Sequence, residues 1–256
     1  AFNFIYLSTQ PISYNFGLYK KQTLSMKKQF VILALALAFC LQLSAQTYKI
    51  DTSAINFENQ LRPCFTVKYD ASPKEVKKAW DDYFKKTYDV KVKGIGFLTN
   101  KEVITATDIT LVAVSDKRMN LYASVVDAPG ERSELSYFMS FGYDFFIGAD
   151  NYPTEFAAMK KILNDFSVEF LTDFYYSEAS RMTSEIKGLE KDIKQNNKSI
   201  KKNTKKARKE SKEVANGLSA KNTSMEMEND QAKKKIEELS KAIDEIKVKQ
   251  AGVKRN

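Results

Sequence analysis

No aromatic residue follows Tyr176, and beyond it the apolar residues that remain fall on a seven-residue repeat: Ile186, Ile193, Ile200, Ala207 and Val214. Isolated aliphatic residues at that spacing can fill only the narrow seam between helices, not the interior of a globule. This restricts the last part of the chain to extended helix and places any compact core earlier. Leu189 starts a second seam, which continues as Asn196, Asn203 and Glu210. Asn216-Gly217 and Asn222-Thr223-Ser224 then interrupt the pattern, because an Asn-Gly pair is a poor helix interior. Beyond them Ala232, Ile236, Leu239, Ile243 and Ile246 recur at four-three spacing. The expectation is an antiparallel coiled-coil hairpin over residues 176–250, broken near Asn216 and projecting from the compact part, with a disordered tail over 251–256.

The compact part is expected over residues 46–175. Leu61–Tyr69 reads as a strand, with Pro63 near its start. Ser72, Pro73 and Glu75 then have the order of an N-cap, first helical residue and capping box. Val76, Ala79, Trp80, Tyr83 and Phe84 follow at helical spacing and form one apolar face around Trp80. After this helix the period falls to two. Val90–Val92, Glu102–Ala106, Ile109–Ser115 and Met119–Val126 read as short strands joined by turns, so they are expected to pair antiparallel. In the stretch Leu135–Gly148, one alternating face carries Tyr137, Met139, Phe141, Tyr143, Phe145 and Ile147. Such a strand needs a cover, and Phe156, Met159, Ile162, Leu163, Phe166, Phe170, Leu171 and Phe174 supply one on a late helix. The predicted fold class is α+β: an antiparallel sheet of five or six strands packed by an early helix and a long late helix, followed by the helical hairpin.

The beginning of the chain reads differently. Met26-Lys27-Lys28 precedes twelve uninterrupted apolar residues, Phe30–Leu41, and Leu43-Ser44-Ala45 offers small residues before Gln46. A charged start, a short apolar run and a small-residue exit describe a secretory signal peptide over 26–45. The stretch resembles bacterial export signals. The apolar run is short of the ~20 residues that span a bilayer, so no transmembrane span is expected after cleavage. Residues 1–25 read as upstream translation outside the native protein. The resulting expectation is an exported protein, in the periplasm or associated with the outer membrane of a Gram-negative bacterium. Cys40 would leave with the signal. Cys64, in an apolar strand pattern, is expected to be buried and inert.

Composition narrows the chemistry. The chain has 41 Lys and Arg against 32 Asp and Glu, two Cys and no His. Without histidine there is no Ser-His-Asp or Cys-His set, no histidine zinc ligand and no imidazole acid–base chemistry. No phosphate-binding GxxxxGK loop is present, so neither an enzymatic activity, a metal nor a cofactor is expected. Two surfaces remain as candidates. The basic run Lys194, Lys198, Lys201, Lys202, Lys205, Lys206, Arg208, Lys209 and Lys212 could meet an acidic surface, although it lacks the aromatic residues that stack on nucleic-acid bases. Trp80, Tyr137, Phe141, Tyr143 and Phe145 could face an apolar ligand held between the sheet and the long helix. The favoured expectation is a structural or adaptor protein of the cell envelope, contacting an envelope protein or a second copy of itself through the helical arm. A periplasmic module binding an apolar ligand is the alternative.

Overall fold

The computed structural model describes residues 47–94, 102–129, 132–142 and 144–253. The stretch read as an export signal, the segment before it, Tyr143 and the tail beyond Val253 lie outside the described residues. The elements run β1 (Asp51–Phe57), β2 (Gln60–Tyr69), α1 (Pro73–Tyr88), β3 (Val103–Thr110), β4 (Arg118–Val126), β5 (Ser133–Ser140), α2 (Pro153–Ala207) and α3 (Lys212–Ala251). The five strands form one antiparallel sheet in the order β1-β2-β5-β4-β3. An α+β fold with an early and a long late helix is therefore present.

Local sequence accounts for several boundaries. Glu58 and Asn59 have φ of 54° and 60°, and Phe57 pairs with Gln60 across them. Two successive left-handed residues make the tight hairpin turn whose twist matches the flanking strands. The α1 capping box forms as its spacing predicts: the Glu75 N–H donates to Ser72 Oγ, and the Ser72 N–H donates to Glu75 Oε2 at 2.8 Å. The register of β2 and β5 sets Phe65 opposite Tyr137 and Val67 opposite Leu135, while Ala123 of β4 faces Tyr137 from the other side. These residues share one face of the sheet, and that face meets α1 and the first part of α2. Trp80 lies between the layers with no exposed surface, its ring 5.1 Å from Tyr137 and 4.8 Å from Phe166. Phe65 stacks on Phe156 at 4.2 Å.

Several polar groups taken into this core are paired, although the Trp80 indole Nε1 is buried without a partner among the described residues. The Tyr69 hydroxyl and Ser167 Oγ are 2.7 Å apart, and Ser167 Oγ also donates to the Leu163 carbonyl. Tyr48 donates to Asn164 Oδ1 at 2.7 Å, fixing the chain just ahead of β1 to the middle of the α2 footprint.

The structure departs from expectation at several places. Val90–Val92 is not a strand, and only Lys93 beside it forms a bridge, with Thr105. β1 is a strand that its own sequence does not announce: DTSAINF has almost no apolar alternation, and its residues are largely exposed. The segment Leu111–Ser115 is a turn, not a strand, since both Val114 and Ser115 donate backbone N–H groups to the Leu111 carbonyl. The strand before it is continuous through a bulge between Ala106 and Ile109, where Asp108 has φ 59°. The last strand stops at Ser140. Gly142 turns the chain at φ 97°, Phe141 N–H reaches the Phe145 carbonyl, and Phe146 returns against Ser140. Finally, the helical break lies at Arg208–Ser211; Asn216-Gly217 and Asn222–Ser224 are inside α3.

Candidate interaction surface

α2 is one uninterrupted helix of 55 residues that serves both parts of the molecule. Pro153 opens it at a position where a missing N–H costs nothing. All ten of its buried residues lie between Phe156 and Tyr175, where it covers the sheet. Beyond Tyr175 it continues for another 32 residues, about 48 Å at 1.5 Å per residue. There its companion is α3, which returns antiparallel beside it and buries only Asn229 and Leu239.

The pairing of the two helices can be read from their cross-links. Asn203 Nδ2 donates to Asn222 Oδ1 at 3.0 Å, and Asn222 Nδ2 donates to Thr204 Oγ1. Further from the turn, Asn229 Nδ2 donates to Asn197 Oδ1 at 3.0 Å, and Asn196 Nδ2 donates to Glu228 Oε2 at 3.2 Å. In every pair one partner moves back along the chain as the other moves forward, the signature of an antiparallel register, with the point of symmetry near residues 212–213, just past the turn at 208–211. The half-buried residues of α2 (Ile186, Leu189, Ile193, Asn196, Ile200, Asn203, Ala207) and of α3 (Leu218, Asn222, Met225, Ala232, Ile236) keep four-three spacing. The seam is aliphatic near the compact part and amide-rich near the turn. Val214, which the heptad pattern places in the seam, falls beyond the turn and is exposed.

All nine residues of the basic run are exposed. On a helix of 3.6 residues per turn, Lys194, Lys198, Lys201 and Lys205 form a single longitudinal row that the C-cap residue Arg208 continues, with Lys202 and Lys206 beside it. Ile193, Ile200 and Asn203 lie about 100–180° round the helix from it, so the row is on the flank of α2 that α3 leaves exposed. The charge is segregated along the arm. Residues 194–228 hold ten cations and four carboxylates, whereas 176–193 and 229–253 together hold nine of each. In the balanced half the ions pair: Arg181 with Glu178 and Glu185, Lys233 with Asp230, Lys241 with Glu237, and Lys247 with Asp244. Among the described residues, no member of the basic run has a carboxylate within 4.0 Å.

The arm returns to the sheet at its root. Lys249 Nζ and the Tyr175 hydroxyl both donate to Asp70 Oδ2, at 2.5 and 3.2 Å. Thr47 Oγ1 donates to the Lys249 carbonyl at 2.6 Å, and its N–H to the Gly252 carbonyl at 3.5 Å. Ile246 and Val253 pack on the main core, so the expected disordered tail is anchored as far as Val253. A cleft of about 320 Å³ opens here, bordered by Asp70, Arg132, Glu178, Glu245 and Lys249 as well as Phe174 and Met182. Its lining carries three carboxylates and two cations, of which Lys249 and Asp70 pair with each other.

The aromatic candidates separate. Trp80 and Tyr137 touch each other in the closed core. Phe141 is half-buried, 5.1 Å from Tyr152 and beneath Lys117 Nζ at 5.2 Å. Phe145 points to solvent, 62% exposed. The positions between sheet and helices where a ligand was expected are occupied by side chains in ring contact. Sequence reasoning overlooked a cluster on the other face of the sheet, where Phe57, Tyr122, Phe138 and Phe146 meet at 4.9–6.1 Å. The Arg62 guanidinium lies 4.1 Å over the Phe146 ring. The alternation of Phe138 and Phe146 with core-facing residues was the available signal. Cys64 is in this cluster, fully buried, and burial pushes its thiol up to about 11, with the Glu134 charge adding to the shift and a hydrogen bond with Ser53 opposing it.

Among the described residues no helix is long and apolar enough to cross a membrane, and no group of three or more Cys, Asp or Glu is placed to hold a metal ion. The chain matches no protein-family model, no curated protein and no solved structure.

Proposed function

We propose that this protein is an exported structural or adaptor protein of the cell envelope that acts through protein–protein contacts of its helical arm, folded as an antiparallel coiled-coil hairpin. The observation that carries the reading is how the chain is spent. Beyond Tyr175, α2 and nearly all of α3 leave the sheet and have mainly each other as partners. Ordering such a length of backbone costs about 1–2 kcal/mol per residue, and the amide-rich seam offsets little of that by apolar burial. A long, regular, exposed pair of helices has reach and surface, while the sheet and its helices form a filled core that holds the arm at its root. The stretch Met26–Ala45 supports export, and the absence of histidine supports a role in contact, not catalysis. The partner is another envelope protein or a second copy of this chain.

Crosslinking mass spectrometry in intact cells tests this, comparing the full chain with a variant whose residues 184–241 are replaced by a short turn. Arm-dependent crosslinks to one envelope protein, or between copies, are expected. Identical crosslinks with and without the arm would remove it as the functional surface. Fractionation of the protein with the cytosol would refute the envelope reading.

A further inference from the structure

The unpaired basic row on α2 has a cost that the rest of the arm avoids. Like charges three or four residues apart on a helix destabilise it by about 0.2–0.5 kcal/mol per pair. Lys194, Lys198, Lys201, Lys205 and Arg208 make four such successive pairs, and none is relieved by a carboxylate within 4.0 Å among the described residues. The same stretch of arm has the amide-rich seam, so the repulsion falls where apolar packing between the helices is thinnest. A counter-surface of negative charge would relieve it.

The character of the row identifies that surface. It extends about 21 Å from Lys194 to Arg208, with cations every 4.5–6 Å along one line. Eight of the nine basic residues are lysine. Lysine is a point charge without the planar fork that reads phosphates and bases bidentately, and stacking aromatics are absent, which disfavours nucleic acid. Protein interfaces deplete lysine and centre on aromatic anchors; the row contains no such anchor. A one-sided line of point charges without a groove or wedge needs only a plane of negative charge.

We propose that this row lies flat on a membrane surface of anionic lipid, with the helix axis parallel to the headgroups and no side chain inserted. Each lysine near such a surface contributes about 1 kcal/mol and loses it as salt screens the field. The seam and α3 stay on the side away from the lipid. Contact replaces lysine–lysine repulsion with lysine–headgroup attraction, so it steadies the distal half of the arm.

The test is co-sedimentation of the full chain with vesicles of phosphatidylcholine containing phosphatidylglycerol, against phosphatidylcholine alone, at low and high salt. Binding is expected only to the anionic vesicles and only at low salt. The variant Lys194→Gln/Lys198→Gln/Lys201→Gln/Lys205→Gln keeps helix propensity and should lower partitioning roughly a hundredfold or more. Arginine at the same four positions should preserve it. A control set, Lys233→Gln/Lys235→Gln/Lys241→Gln/Lys247→Gln, removes the same charge from ion-paired positions and should lower it only a few-fold. Equal losses from the two glutamine sets would overturn the proposal, reducing the row to a share of net charge. Equal binding to neutral vesicles would also overturn it, as would tighter binding to duplex DNA or polyglutamate than to the anionic vesicles at matched salt.

Discussion

Replacing Trp80 with alanine should destabilise the compact part by about 3–4 kcal/mol, a value set by two opposing contributions. An aromatic side chain of this size buries about 150–250 Å², worth about 4–6 kcal/mol at ~25 cal/mol per Å². Trp80 is fully buried and in ring contact with Phe84, Tyr137 and Phe166, so alanine would leave a void framed by aromatic side chains. Against this, the indole Nε1 is buried without a hydrogen-bond partner among the described residues. An unsatisfied donor costs about 1–3 kcal/mol, and alanine removes that cost. Phenylalanine separates the contributions, because it keeps a ring in the same space while deleting the N–H. Trp80→Phe should therefore stay within about 1.5 kcal/mol of the native protein. Urea unfolding followed by near-ultraviolet circular dichroism is the appropriate assay. No aromatic residue follows Tyr176, so the signal is blind to most of the arm. A loss below about 1 kcal/mol for Trp80→Ala would show that the ring contacts contribute little. Equal losses for alanine and phenylalanine would show that the indole N–H, not ring packing, governs the site.

Three further outcomes are expected. Ser72→Ala should cost about 1 kcal/mol by removing the α1 cap; because hydrogen bonds to Ser72 hold the Glu75 carboxyl below its usual range, this contribution is present at neutral pH and fades as acid protonates Glu75, so an undiminished difference between the two proteins at low pH would refute it. Cys64 should resist alkylation at pH 8 until the protein unfolds; with a native thiol pushed up to about 11 from an ordinary 9.0, stability should also fall as pH rises through that interval, and rapid labelling of the native protein would contradict the burial. Joining residues 183 and 242 by a short turn should leave the near-ultraviolet unfolding transition in place, since Ile246, Lys249 and Gly252 remain at the root, whereas a deletion reaching Gly252 should weaken it; equal transitions in the two deletions would show that the root contacts are idle.

The site residues divide by how local their signals are. The basic row was legible because it depends only on residue type and helical period, and both are properties of a short stretch. The absence of ion partners in the row is equally local: Lys198 and Lys201 have no carboxylate three or four residues away, whereas Lys233 and Lys241, outside the row, have Asp230 and Glu237 at those spacings. The aromatic ligand face was misread at its end. The alternation of Tyr137, Phe141, Tyr143 and Phe145 assumes a strand, and Gly142 turns the chain before that strand can continue. Phe146 then reaches the opposite face and Phe145 faces solvent.

The sequence by itself determined the features that neighbouring residues settle: the capped start of α1, its apolar face around Trp80, and the change from ring-rich core to seven-residue helical repeat after Tyr176. Only the tertiary structure decided the order of strands, the existence of β1 and the place where the arm turns. β1 has no apolar pattern of its own and is held as a strand by hydrogen bonding to β2. Asn216 and Gly217 are weak helix formers, costing up to about 1 kcal/mol each, yet they stay helical. The pairing of Asn203 with Asn222 and of Asn197 with Asn229 is symmetric about residues 212–213, which holds the reversal close by, at residues 208–211, ahead of Asn216. Backbone propensity acts over a few residues and is worth tenths of a kcal/mol per position, whereas a register repeated along two helices sums over every layer. The longer-ranged interaction therefore set the fold where the two disagreed.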